Sequence, residues 1–75
     1  MLGLLVTDME KREIEYLIKR EFEEILLDLE DHRIDDVIKE SMIERYKVLF
    51  NLFRKVATEE DCLKYMLQER NYNHR

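Results

Sequence analysis

The chain has no proline and one glycine among its 75 residues, so little in the sequence forces a helix to break. The spacing of apolar residues then decides the secondary structure. From Ile14 to Leu29 these residues follow steps of three and four, which place side chains on one face of a helix. No segment has the sustained alternation that is typical of a strand. The sequence therefore predicts an all-α fold.

Capping residues divide the chain into three helices within a single small domain, residues 1–75. Thr7 with Glu10 three residues later forms a capping box at the start of the first helix. Asp35 and Thr58 are the expected N-caps of the second and third helices. The predicted segments are an apolar N-terminal arm over 1–7, helices over 8–31, 35–57 and 59–70, and a polar tail over 71–75.

The start of the second helix has two interpretations. Asp35 precedes one helical run, whereas Ser41 with Glu44 three residues later forms another capping box. In the second interpretation, residues 34–40 form a separate short turn of helix. We favour the start at Asp35.

Each predicted helix has a core face on a helical wheel. The first helix contributes Ile14, Leu17, Ile18, Phe22, Ile25, Leu26 and Leu29. The second contributes Tyr46, Leu49, Phe50, Phe53 and Val56. The third contributes Cys62, Leu63, Met66 and Leu67.

Two apolar stripes lie outside these core faces. Met9, Tyr16 and Leu27 fall nearly opposite the core face of the first helix. Val48 and Leu52 widen the apolar arc of the second helix to about 200°, more than one packed side requires. We therefore expect an antiparallel helical hairpin with a short third helix that dimerises into a helical bundle. A monomeric three-helix bundle is the alternative.

Composition excludes several broad classes. At 41% charged and 45% hydrophobic residues, the chain is too apolar for a disordered polyelectrolyte. No apolar run approaches the roughly 18–20 residues of a membrane span, so we expect no membrane contact. A single cysteine cannot form an internal disulfide, which favours a reducing, cytoplasmic location. Glycine, alanine and proline, the residues that GC-rich codons encode, are nearly missing from the sequence. This composition indicates an AT-rich genome, such as that of a bacterium or phage.

Motifs that carry chemistry are missing from the sequence. One glycine cannot build a phosphate loop or a dinucleotide fingerprint. Asp28 and His32 lie one turn apart, yet neither histidine belongs to the Glu-x-x-His motif of helical metal sites. Acidic residues just before Cys62 oppose its thiolate. We expect no catalysis, no metal and no cofactor.

These observations favour a small non-catalytic regulatory protein that binds a protein partner through exposed apolar helix faces. The candidate residues for partner binding or self-association are Met9, Tyr16, Leu27, Val48 and Leu52. One stripe is expected to serve a homodimer, and the sequence does not say which.

Two electrostatic functions are the alternatives. An acidic phage-type inhibitor could mimic nucleic acid with the carboxylates of the first helix: Glu13, Glu21, Glu24, Asp28 and Asp31. A nucleic-acid binder could use the basic residues of the second helix: Arg45, Lys47, Arg54 and Lys55. The net charge of −5 disfavours nucleic-acid binding, because phosphate backbones reward basic surfaces.

Overall fold

The structure, a computed structural model, describes residues 1–66. These residues form three helices and no strand: α1 (Asp8–Leu29), α2 (Asp36–Phe53) and α3 (Glu59–Tyr65). α1 packs against α2, and α2 packs against α3. The all-α fold and the helical hairpin are therefore confirmed.

α1 begins at the predicted capping box. The Thr7 hydroxyl accepts a hydrogen bond from the Glu10 amide at 3.1 Å, and the Glu10 carboxylate accepts one from the Thr7 amide at 2.8 Å. The helix ends at Leu29, two residues before the predicted end at 31. The Asp31 carboxylate accepts hydrogen bonds from the Arg33 amide and guanidinium at 2.9–3.1 Å. This local turn competes with continuation of the helix.

α2 begins where we favoured, because Asp35 caps it by accepting a hydrogen bond from the Val37 amide at 3.1 Å. The alternative start at Ser41 is wrong: Ser41 lies inside the helix. α2 ends at Phe53, short of the predicted 57. The Lys55 amide donates to the carbonyl three residues earlier, which tightens the chain before α3.

α3 begins as predicted, with the Thr58 hydroxyl accepting from the Asp61 amide at 3.2 Å. The helix ends at Tyr65, because Met66 has an extended backbone. The predicted continuation over 67–70 and the polar tail over 71–75 lie outside the described residues.

The core lies between the two long helices, with α3 at one side. Its fully buried members are Ile18, Phe22, Ile25, Leu29, Tyr46 and Phe53. The partly buried apolar residues packed on them are Ile14, Leu26, Met42, Ile43, Leu49, Phe50, Ala57, Cys62 and Tyr65. Leu17, expected in the core, is half-exposed, because the side of α1 that it occupies has no helix over it.

An aromatic cluster of Phe22, Tyr46, Phe50, Phe53 and Tyr65 joins all three helices. The Phe22 ring stacks on Tyr46 with centroids 4.4 Å apart and meets Phe53 edge-on at 5.2 Å. Tyr65 contacts both phenylalanines, at 5.2 and 5.8 Å. The Tyr46 hydroxyl donates a hydrogen bond to the Tyr65 carbonyl at 2.7 Å. These contacts fix the rotation of α3.

The face of α3 that contacts the core differs from the prediction. Cys62 and Tyr65 pack inward, whereas Leu63 and Met66, which we expected in the core, are exposed. The hydrogen bond and ring contacts of Tyr65 turn that residue inward, so its sequence neighbour Met66 points elsewhere.

The N-terminal arm has no regular secondary structure, and its apolar side chains are exposed from Met1 to Val6. The arm therefore does not pack on the helices. The side of α1 that bears Met9 is therefore uncovered as well, and Met9 is exposed.

Candidate interaction surface

Two ion pairs distinguish the two flanks of the hairpin. Lys19 Nζ lies 3.2 Å from Asp61 Oδ2, so α3 lies beside the Lys19 side of α1. Arg45 Nη1 of α2 lies 2.9 Å from Glu21 Oε2 of α1. Lys19 and Glu21 lie on nearly opposite sides of α1, about 160° apart. α3 therefore lies on one flank of the hairpin, and no helix of the described residues covers the other.

The uncovered flank has apolar side chains from both long helices. Leu17 lies one helical turn before the glutamate that pairs with Arg45. On α2, Ile38, Val48 and Leu52 share the side of Arg45 at helical spacings of three and seven residues. All five side chains are exposed. We name Leu17, Ile38, Arg45, Val48 and Leu52 the open flank.

The α2 part of the open flank follows a regular repeat. Residues 38, 41, 45, 48 and 52 are separated by steps of three, four, three and four, the spacing of a helix that packs along another helix. A second seam on the same helix, residues 42, 46, 49 and 53, contacts the core. The predicted second neighbour of α2 is therefore not supplied by α3, and Val48 and Leu52 remain 69% and 46% exposed.

Three members of the open flank, Leu17, Ile38 and Arg45, were not among the candidate residues for partner binding; Arg45 was a candidate only for nucleic-acid binding. Leu17 lies near the margin of the wide apolar face of α1. A helical wheel therefore assigns it to the core, because the wheel does not show which side of that face another helix covers. Ile38 shares its heptad position with Leu52, and that spacing is the signal that could have found it.

The outer stripe of α1 is less continuous. Met9, Tyr16 and Leu27 are all exposed, but about 10 and 16 Å of helix separate successive members. The Arg20 guanidinium lies 5.8 Å from the centre of the Tyr16 ring. The structure does not bring these three side chains together into one patch.

The basic residues of α2 are partly neutralised by neighbours. Arg45 pairs with Glu21, and Lys47 Nζ lies 3.7 Å from Glu44 Oε1. These contacts reduce the positive field that a phosphate backbone would meet on α2.

Two of the five carboxylates proposed as a nucleic-acid mimic also have basic partners. Glu21 contacts Arg45, and Asp31 contacts Arg33. Hydrogen bonds from the side chain and backbone of Arg33 lower the pKa of the Asp31 carboxyl below its ordinary value. Each of these two carboxylates therefore lies beside a compensating cation.

The described residues offer little for chemistry or for a membrane. Within residues 1–66, no three His, Cys, Asp or Glu side chains are grouped to hold a metal ion. Cys62 is a free thiol, half-buried against the core. Over the same residues, no helix is long and apolar enough to cross a bilayer.

Comparison with known proteins adds no relative: no family model, no curated protein and no solved structure matches this chain.

Proposed function

We propose that this chain is a small, non-catalytic regulatory protein that binds another protein through the open flank. The observation that carries the proposal is the second seam of α2, which has the spacing of a packed helix while its apolar side chains remain exposed. Binding a helical or flat apolar surface would bury this seam.

The balance of buried and exposed apolar residues supports a binding role. Over residues 1–66, the exposed large apolar side chains outnumber the fully buried ones. Isolated surface leucines are ordinary, but a contiguous apolar surface on a monomer often marks an interaction site. On the open flank, Val48 and Leu52 occupy neighbouring turns of α2, and Leu17 lies one turn before the Glu21 that pairs with Arg45, so these three residues make up the apolar part of such a surface.

The position of Arg45 suits a binding surface as well. Its guanidinium is held by Glu21 across the hairpin, at the centre of the open flank and between Ile38 and Val48. Arginine is enriched at protein interfaces, where its planar donors and apolar stem serve together. An interface here would have an apolar seam with one paired charge in the middle.

Self-association belongs to the same proposal. A homodimer that covers the open flank would complete a helical bundle and compensate for the small core of a chain of this size. We also propose a cytoplasmic location, in agreement with the single free cysteine.

The test is affinity capture from a lysate of the organism that carries the gene, with and without nuclease, using three forms of the tagged chain. These are the native chain, Val48→Asp with Leu52→Asp, and a matched control, Met9→Asp with Leu27→Asp. Circular dichroism first verifies that all three are folded.

We expect nuclease-resistant capture of a specific protein, or of untagged chain added to the lysate, by the native and control forms. The open-flank variant should lose it. Capture that survives the open-flank substitutions, or that requires nucleic acid, would contradict the proposal. Loss at high salt alone would instead favour the acidic mimic, since exposed charges are screened and apolar contacts are not.

A further inference from the structure

We propose that the open flank binds a basic amphipathic helix of another protein, with the apolar residues of that helix on α2 and its lysines or arginines beside α1. This inference rests on the proposed function, because it names the partner of the same surface. What carries it is a difference between the two helices that form the open flank: α1 contributes carboxylates to it, whereas α2 contributes apolar side chains.

The side of α1 that faces the open flank is acidic. Residues 17, 21, 24 and 28 follow steps of four, three and four, so they share one side of the helix. Leu17 is the apolar member of this set, and the others are Glu21, Glu24 and Asp28. Glu13 lies one turn before Leu17 on the same side. We name Glu13, Glu24 and Asp28 the acidic edge of the open flank.

The acidic edge is exposed and is not neutralised by the hairpin. All three of its residues are exposed, and among residues 1–66 none of them forms an ion pair. Glu21 differs, because Arg45 compensates its charge. Over Asp8–Leu29, the base nearest the acidic edge around the helix is Arg20, whose guanidinium lies 5.8 Å from the centre of the Tyr16 ring on the outer stripe. The acidic edge therefore offers its negative charge to a partner.

The side of α2 that faces the open flank has no carboxylate. Its seam, residues 38, 41, 45, 48 and 52, has three apolar side chains, one serine and the arginine that pairs with α1. The acids within α2 lie on other sides: Asp36, Glu40 and Glu44 are about 80–160° from Leu52 around the helix. A helix that lies along the open flank would therefore contact apolar side chains of α2 and carboxylates of α1.

The spacing of the acidic edge defines where the partner needs its basic residues. Glu24 and Asp28 lie seven and eleven residues beyond Leu17, about 10 and 16 Å along α1. The ion pair between Glu21 and Arg45 holds this part of α1 beside the seam of α2. A bound helix would place lysines or arginines about two and three turns from the apolar residue that contacts Leu17.

Charge complementarity selects a basic partner over a second copy of this chain. Amphipathic helices bind apolar surfaces through anchors at helical spacing, and basic residues on one side of those anchors would meet the acidic edge. A two-fold contact through the open flank would instead bring two acidic edges into one interface. The net charge of −5 adds to that repulsion.

The first measurement is fluorescence anisotropy of three labelled synthetic peptides, each titrated with the native chain. Each peptide has 18 residues, the length of α2. The leucine–lysine peptide has leucines at steps of three and four, lysines along one side of them and glutamine elsewhere. The second peptide replaces its lysines by glutamate, and the third replaces its leucines by glutamine. We expect the leucine–lysine peptide to bind at least about tenfold more tightly than either of the others. Equal or weaker binding of this peptide would overturn the inference.

The second measurement tests whether the acidic edge receives the lysines. Glu24→Lys with Asp28→Lys should weaken binding of the leucine–lysine peptide about tenfold or more, because attraction becomes repulsion. The matched control is Glu23→Lys with Glu30→Lys, which changes the net charge equally on the side of α1 away from Leu17. The control should weaken binding less than about threefold, since screening limits distant charges. Equal losses in the two variants would show attraction to the net charge alone and overturn the inference.

The third measurement tests the apolar contribution of α2. Val48→Ser with Leu52→Ser keeps the net charge and should weaken binding of the leucine–lysine peptide about tenfold or more, because apolar burial is lost. The matched control, Met9→Ser with Leu27→Ser, changes two exposed residues of α1 outside the open flank and should leave binding unchanged. Circular dichroism verifies that every variant is folded. Binding that survives the loss of Val48 and Leu52 would contradict the inference.

Failure of this inference is distinguishable from failure of the proposed function. If capture of a protein depends on Val48 and Leu52 but is unchanged by Glu24→Lys with Asp28→Lys, the inference fails and the proposed function stands. The same holds if a second copy covers the open flank and the leucine–lysine peptide does not displace it. If neither capture nor peptide binding depends on the open flank, both fail.

Discussion

Phe22 should contribute more to the stability of this chain than any neighbour on α1. It is 0% exposed, and its ring contacts Tyr46, Phe53 and Tyr65, so it joins all three helices. Replacement of a buried phenylalanine by alanine costs about 3–5 kcal/mol. Aromatic pairs add about 0.5–1.5 kcal/mol beyond the buried area.

That loss equals the whole stability expected of so small a domain. A core of this size supplies no more than about 3–5 kcal/mol. We therefore expect Phe22→Ala to be largely unfolded at 25 °C. Phe22→Leu, which keeps most of the volume but loses the ring contacts, should remain folded and lose about 1–2 kcal/mol.

The assay is urea unfolding followed by circular dichroism at 222 nm, at one fixed chain concentration because association shifts apparent stability. Leu27→Ala is the matched control on the same helix, 69% exposed, and should change the free energy of unfolding by less than about 0.5 kcal/mol. A cooperative transition in Phe22→Ala with a loss below about 1 kcal/mol would refute the central position of this ring.

Three further predictions concern smaller contacts. Thr7→Ala removes the capping box of α1 and should cost about 0.5–2 kcal/mol in urea unfolding, with Thr7→Ser as the conservative control. Tyr46→Phe leaves the Tyr65 carbonyl without its 2.7 Å hydrogen bond and should cost about 1–2 kcal/mol; an unchanged midpoint would show that this bond does not hold α3. The pKa of Asp31 is lowered by Arg33, so the stabilising effect of its ionised form is present above the unfolded pKa and lost as the pH falls through the folded one. An NMR titration should place its midpoint below 3.8, and Arg33→Gln should return it toward that value.

Helix starts could be predicted from the sequence because their signals are local. Thr7, Asp35 and Thr58 each cap a helix in the structure as expected. Their side-chain oxygens bond to amides two or three residues away, so no tertiary contact is needed. Two helix ends carried weaker signals: no glycine or proline follows α1 or α2, and both helices stop before their predicted ends.

The orientation of α3 could not be predicted because it depends on distant residues. The apolar pattern of this short segment favoured Leu63 and Met66 as core residues. In the structure, the Tyr46 hydroxyl and the Phe22 ring engage Tyr65 instead. A seven-residue helix has too few turns for its own pattern to outweigh such contacts.

The candidate surface could be predicted in part. The wide apolar arc of α2 indicated a second neighbour and identified Val48 and Leu52, both exposed in the structure. The contribution of Leu17 depends on which flank α3 occupies. The ion pair between Lys19 and Asp61 settles that, and it joins residues 42 positions apart.

The most direct test of the central claim, that the open flank binds a protein, is two-dimensional NMR of ¹⁵N-labelled chain, first over a dilution series and then with the protein that the native chain captures. Binding through the open flank predicts amide shifts along residues 38–52 and around Leu17 in at least one of the two series, with little change around Tyr16 and Leu27. Shifts confined to the side of α1 that bears Tyr16 and Leu27, or spectra that change in neither series, would contradict it.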